Sequence, residues 1–131
     1  MPTGRGERGF TLLELITVIA VISILVGIAL PNYRVAIMQS REAVLKEDLY
    51  RLRDLIDQYY ADKGKYPASL EALVEESYLR KMPLDPMTGQ ADWEAVPAET
   101  DPDNPVEDPG VYDVRSASTM ISMAGTPYNE W

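Results

Sequence analysis

The sequence contains neither cysteine nor histidine, and the two absences remove most of the tools from which enzymes are built. Disulfides, thiolate metal sites and cysteine nucleophiles are excluded together, and so is imidazole acid–base chemistry near neutral pH. No G-x-x-x-x-G-K-[ST] phosphate loop occurs either, so the chain does not supply a nucleotide-driven motor of that class. Bases are scarce beyond residue 60: residues 61–131 hold five against fourteen acids, and the formal net charge of -9 resides there. A surface of that sign repels phosphate backbones, whose binding rests on Lys and Arg, and no nucleic-acid partner is expected. The length of 131 residues predicts one modest domain plus an extended element.

What is present is a long apolar run. From Phe10 to Leu30 the chain reads FTLLELITVIAVISILVGIAL, interrupted only by Thr11, Glu14, Thr17, Ser23 and Gly27. A helix needs about 20 residues at 1.5 Å each to cross a bilayer core, and Arg5 and Arg8 ahead of the run favour a cytoplasmic N-terminus. The run is too long for an ordinary signal peptide and ends in Leu30-Pro31-Asn32 without a small-residue cleavage site, so it is expected to be retained. Glu14 stands out, because an acid deep in a bilayer costs about 2.5–3.5 kcal/mol on insertion scales unless it is paired or reaches water. The residue types alone leave both readings open, an interfacial acid and a functional pair.

The segment Gly9-Phe10-Thr11-Leu12-Leu13-Glu14 resembles the prepilin signature of type IV pilins and type II secretion pseudopilins. In that pattern a short basic leader ends in Gly, Phe follows, and Glu is the fifth residue of the mature chain. The resemblance implies that a membrane peptidase and methyltransferase cuts between Gly9 and Phe10 and methylates the new Phe10 amine. It also implies that Glu14 acts in assembly, pairing in low dielectric with the Phe10 ammonium of a neighbouring subunit. Removing one partner of a well-buried pair costs about 3–5 kcal/mol.

Beyond Pro31, Met38, Leu45, Leu52 and Tyr59 recur every seven residues, with Leu49 and Ile56 filling the stripe of an amphipathic helix. Glu42 with Lys46, and Glu47 with Arg51, add opposite charges at i,i+4 on its polar side. A helix from Phe10 to Tyr60 would be about 75 Å long, which suggests a spine. Gly27 and Pro31 predict a bend or a locally melted segment near residues 27–32. Gly64 and Pro67 then predict a stop, and Ser69–Leu79 reads as a short helix with Ser69 as N-cap. Six prolines between residues 82 and 110 exclude another long helix. Val111–Val114 and Thr119–Met123 read as the strands of a small antiparallel sheet.

Gly64-Lys65-Tyr66-Pro67, Leu70, Leu73, Leu84-Asp85-Pro86 and Trp131 together are similar to the major pseudopilin of type II secretion systems. With the N-terminal signature, this resemblance covers residues 5–86. The expected fold is α+β and pilin-like, a hydrophobic N-terminal helix as spine and a small C-terminal head with one short helix and an antiparallel sheet. The expected parts are a cleaved leader (1–9), a transmembrane and filament-core helix (10–31), an amphipathic spine helix (32–60) and an acidic periplasmic head (61–131). Major pseudopilins hold calcium in a C-terminal loop, and Asp101, Asp103, Asp108 and Asp113 are the candidate oxygen donors here. The family's acidic pair near the C-terminus is missing, and a solubilising acidic loop is the competing reading. Paired carboxylates are too frequent in the head for any pair to mark a general acid and base. Trp93, Tyr112, Tyr128 and Trp131 read as packing residues rather than a ligand site.

The expected function is that of a structural subunit of the type II secretion pseudopilus, anchored in the inner membrane and promoting export of folded proteins. It needs no cofactor. The resemblance implies as partners further copies of the chain, minor pseudopilins, the prepilin peptidase, and an inner-membrane platform with a cytoplasmic ATPase. A type IV pilus subunit for adhesion, motility or DNA uptake shares the same N-terminal machinery, and a membrane-anchored periplasmic enzyme is the alternative of a different class.

Overall fold

The computed structural model describes residues 9–131, which divide into two compact units, the first ending at Ile37 and the second spanning Met38–Trp131. Helix α1 runs Leu12–Lys63. In the first unit every described residue from Gly9 to Ile37 is exposed, apolar side chains included. No intramolecular core accounts for their hydrophobicity.

The second unit is organised on the stripe that the heptad spacing foretells. Leu45, Leu49, Leu52, Ile56 and Tyr59 of α1 are buried, and Met38 is half-buried. They meet Leu70 and Leu73, Trp93, Val111 and Val114, and Tyr128 in one apolar cluster. Burying such a side chain contributes about 1.5–3 kcal/mol, so this stripe rather than intrinsic propensity holds residues 38–63 to the head. α1 ends where Gly64 takes a left-handed φ of 70° and donates its N–H to the Tyr60 carbonyl at 2.8 Å.

The next helix, α2, is shorter than the sequence suggests, covering only Glu71–Glu75. Ser69 does not cap it with its side chain. The Ser69 carbonyl instead accepts from the Ala72 N–H at 3.3 Å, which makes the entry a turn. The sheet also differs from expectation. β2, Val111–Arg115, pairs antiparallel with β1, Glu94–Pro97, with Glu94 opposite Arg115 and an irregularity between Val96 and Pro97. Thr119–Met123 is not a strand and contributes a single bridge, Ile121 to Pro127. The reason lies in the linker, which is not a free hairpin turn, because Ser116 and Ser118 are buried and hydrogen-bonded. A short 3₁₀ turn, Tyr128–Glu130, closes the unit.

Three polar devices fix the loops. Asp85 is fully buried. Its carboxylate accepts from the Ser116 hydroxyl at 2.5 Å and the Met87 N–H at 2.8 Å, while its own N–H donates to the Gln90 carbonyl at 2.8 Å. The Leu84-Asp85-Pro86 element is thus a clip between this loop and the end of β2. Arg53 of α1 donates to the Asp113 carboxylate at 2.7 Å, the Val114 carbonyl at 3.1 Å and the Trp131 backbone oxygen at 2.7 Å. Gly110 has φ 81°, and a Cβ there would lie 2.8 Å from the Tyr66 Cβ and 2.9 Å from the Pro67 carbonyl oxygen. Only glycine fits that approach, which lets the Val111 N–H reach the Pro67 carbonyl at 2.7 Å.

Candidate assembly site

The residues singled out by the sequence lie at the start of α1. Arg5 and Arg8 fall outside the described residues; Gly9 and Phe10 precede the helix as irregular chain, both exposed. An accessible, non-helical backbone at this junction suits a peptidase. Phe10 is 77% exposed, too open to be tethered by the chain's own packing.

Thr11 begins the helix. Its hydroxyl accepts from the Glu14 N–H at 3.1 Å, and its carbonyl accepts from the Leu15 N–H at 3.0 Å. This satisfies one of the amides that a helix N-terminus leaves open. Thr11-Leu12-Leu13-Glu14 has the spacing of a capping box, a signal that sequence reasoning passed over because the acid had already been assigned another role. Only half of the box forms. The Glu14 carboxylate makes no return bond to the Thr11 N–H among the described contacts.

The other interruptions of the apolar run are accounted for. Thr17 and Ser23 each donate their hydroxyl to the carbonyl four residues earlier, Leu13 and Ile19, both at 2.8 Å. Such back-bonding hides a hydroxyl within the helix's own backbone, which a lipid environment demands. Gly27 has no side chain, and open space surrounds the position of its missing Cβ. Among the described residues of the run, Glu14 is therefore the polar side chain left without an intramolecular hydrogen bond or ion pair. It carries a charge-bearing group exposed on a helix long and apolar enough to cross a membrane, none of whose apolar window is buried.

Pro31 sits inside α1, and the helix is unbroken across residues 27–32, so the local melting anticipated there is absent from this structure. Proline supplies no N–H, and the bond it omits is the one to the carbonyl four residues back, that of Gly27. The two residues named for a bend thus mark one missing rung of the helical ladder.

The four candidate calcium donors do not form one donor set. Asp113 is taken by Arg53 at 2.7 Å. Asp101 accepts from the Asp103 N–H at 2.9 Å and Asp108 from the Gly110 N–H at 3.2 Å, each closing its own turn. Among the described residues no three acidic side chains gather closely enough to hold a metal.

Comparison with known proteins agrees with this N-terminal geometry. Residues 4–30 match the model of the prokaryotic N-terminal methylation motif. The type II secretion system core protein G of Pseudomonas aeruginosa is 31% identical over 63% of this chain and 69% of that protein. The Escherichia coli core protein G is 33% identical over 61% of this chain and 66% of its own length. Fimbrial protein EcpC of Eikenella corrodens is 40% identical over 47% of this chain and 40% of that protein. No solved structure matches. With an apolar, unburied N-terminal helix, a methylation motif across the Gly9-Phe10 junction and identity over most of its length, the chain belongs to the core protein G family of type II secretion systems, the pseudopilins.

Proposed function

We propose that this chain polymerises into the pseudopilus of a type II secretion system and so promotes export of folded proteins across the outer membrane. One observation carries the reading: α1 presents a wholly exposed apolar segment on which Glu14 has no intramolecular partner among the described residues. A free apolar helix needs a membrane before assembly and other copies after it. The unpaired carboxylate needs a cation that arrives with those copies. Cleavage after Gly9 creates one, the methylated Phe10 ammonium of a neighbour, four residues from Glu14 in its own chain.

In this reading Arg5 and Arg8 hold the leader on the cytoplasmic side, the helix crosses the inner membrane once and the acidic head lies in the periplasm. The chain performs no chemistry. The prepilin peptidase processes it, minor pseudopilins join the filament, and an inner-membrane platform with a cytoplasmic ATPase supplies the work. The relatives support this partly by name, since they are secretion-system core proteins. Similarity to a fimbrial protein supports a surface-pilus reading over less of the chain, 47% against 63%.

The test replaces Glu14 by Ala or Leu. Either change removes a charge that the bilayer disfavours, so membrane insertion should be retained. Filament yield should collapse, because a neighbour's ammonium would be left buried and unpaired at a cost of about 3–5 kcal/mol. Insertion, Gly9-Phe10 cleavage by intact mass and filament yield are measured side by side with the parent. Normal filaments from the variants would reject the pairing and leave Glu14 as an interfacial acid.

A further inference from the structure

The longest uncharged stretch of the acidic second unit is its C-terminal loop. Ser116 to Tyr128 reads SASTMISMAGTPY, thirteen residues without a charge, in a chain whose net charge is -9. The loop is well fastened. Ser122 and Thr126 exchange bonds through the Ser122 N–H to the Thr126 carbonyl at 2.8 Å and through their hydroxyls at 3.1 Å. The Tyr128 N–H reaches the Met120 carbonyl at 3.0 Å. Glu42 of α1 accepts from both the Met123 N–H at 2.9 Å and the Tyr128 hydroxyl at 2.8 Å, and the same hydroxyl lies 3.4 Å from the Met38 sulfur.

A loop so held has its backbone satisfied, yet it turns its large apolar side chains outward. Met120, Ile121 and Met123 are 50%, 61% and 50% exposed. Three adjacent apolar side chains on a rigid, uncharged support constitute a contact surface that the second unit itself does not use. Two of them are methionines, whose unbranched thioethers adapt to irregular apolar partners.

We infer that this loop docks on the apolar α1 segment of a second copy of the chain. The inference rests on the polymerising reading above and deepens it by naming a contact in the head. The complement is present in the chain itself, since residues 10–30 expose large apolar side chains throughout. The loop is also fastened to Met38 and Glu42, the first and fifth residues after the apolar unit ends, so it continues in sequence from that interface. A membrane surface fits less well. Interfacial segments combine apolar residues with Lys and Arg that meet anionic lipid. Ser116 to Trp131 contains neither, and Lys46 is occupied over the Trp131 ring at 5.0 Å.

The test uses the full-length chain and its freedom from cysteine. One copy carries Ile121→Cys, and a co-expressed second copy carries a single cysteine at Val18, Ile22, Leu25 or Ile28, with a short bismaleimide as cross-linker. Cross-linked dimers are expected from filaments for a subset of these positions lying on one helical face, and none from detergent-dispersed subunits. In parallel, Met120→Gln, Ile121→Thr and Met123→Gln are combined. The triple variant should keep its Tm in detergent and its cleavage while losing filament yield about tenfold, the change that corresponds to about 1.4 kcal/mol. Parent filaments with no cross-link at any position and an undiminished triple variant would overturn the inference. So would a triple variant that polymerises normally while a fluorophore on Ile121→Cys is quenched by lipid-borne quenchers in phosphatidylglycerol vesicles, which would make the occupant a membrane. Failure of the parent itself to polymerise would instead defeat the underlying functional reading.

Discussion

Both ends of helix α1 carry large apolar side chains, and the two sets have opposite fates. Before Ile37 no described residue is covered, whereas beyond Met38 the stripe from Leu45 to Tyr59 is sealed by the head. Hydrophobicity alone does not say whether a segment is core. Periodicity does. Residues 12–30 are apolar all round, the pattern of a helix whose solvent is lipid or another protein, while residues 45–59 are apolar on one stripe only. The first unit is thus stabilised by what it joins and the second by what it encloses.

That contrast fails if equivalent truncations in the two segments behave alike. Leu52→Ala should destabilise the detergent-solubilised full chain by about 2–5 kcal/mol through the cavity it leaves, read as a drop in the unfolding midpoint. Ile22→Ala, on a side chain already 53% exposed, should leave that midpoint where it is. A comparable loss from Ile22→Ala would mean that the head leans on the first unit. Next in size, Gly110→Ala should cost about 1–3 kcal/mol from the left-handed backbone, with overpacking against Pro67 adding to it, and should leave membrane insertion intact. An insertion defect would join what the structure separates.

Alkaline titration sharpens the comparison further. Burial, and then the hydrogen bond to Glu42, push the Tyr128 phenol up to about 12 from an ordinary value of 10.0. The folded state therefore holds this proton where the unfolded state has released it. Stability from this group is fully present below about pH 10 and is lost as pH rises through about 12. Tyr128→Phe should weaken that alkaline fall in melting temperature, and an unchanged profile would remove Tyr128 as its source. The smallest effect belongs to the exposed pair Arg51–Glu47 at 3.5 Å. Arg51→Ala should change stability by less than about 0.5 kcal/mol in denaturant titration.

Much of this architecture was legible because the governing rules are local. The apolar run, the heptad stripe and the Gly64 stop each depend on residues a few positions apart. The acid at position 14 was legible as an anomaly, and the Thr11 cap lay in the same four residues. β1 was not, since Glu-Ala-Val-Pro at 94–97 has no alternation and contains a proline. Its strand character comes from β2, a partner found only through the tertiary closure. Thr119–Met123 misled for the converse reason. Its composition is strand-like, yet the anchored Ser116 and Ser118 leave it no neighbour. The pairing of Arg53 with Asp113 likewise spans 60 residues and leaves no pattern in the sequence.

The bond between Tyr128 and Glu42 joins residues 86 positions apart, and that between Arg53 and Trp131 joins residues 78 apart. Such separations impose an order in time. α1 is synthesised first, but the cover for its stripe is not complete until the last residues emerge, and long loops must close before those contacts repay their entropy. During that interval the chain carries two uncovered apolar surfaces on one helix. Only the first can be satisfied at once by a membrane, and the stripe of the second waits on the residues that close the head.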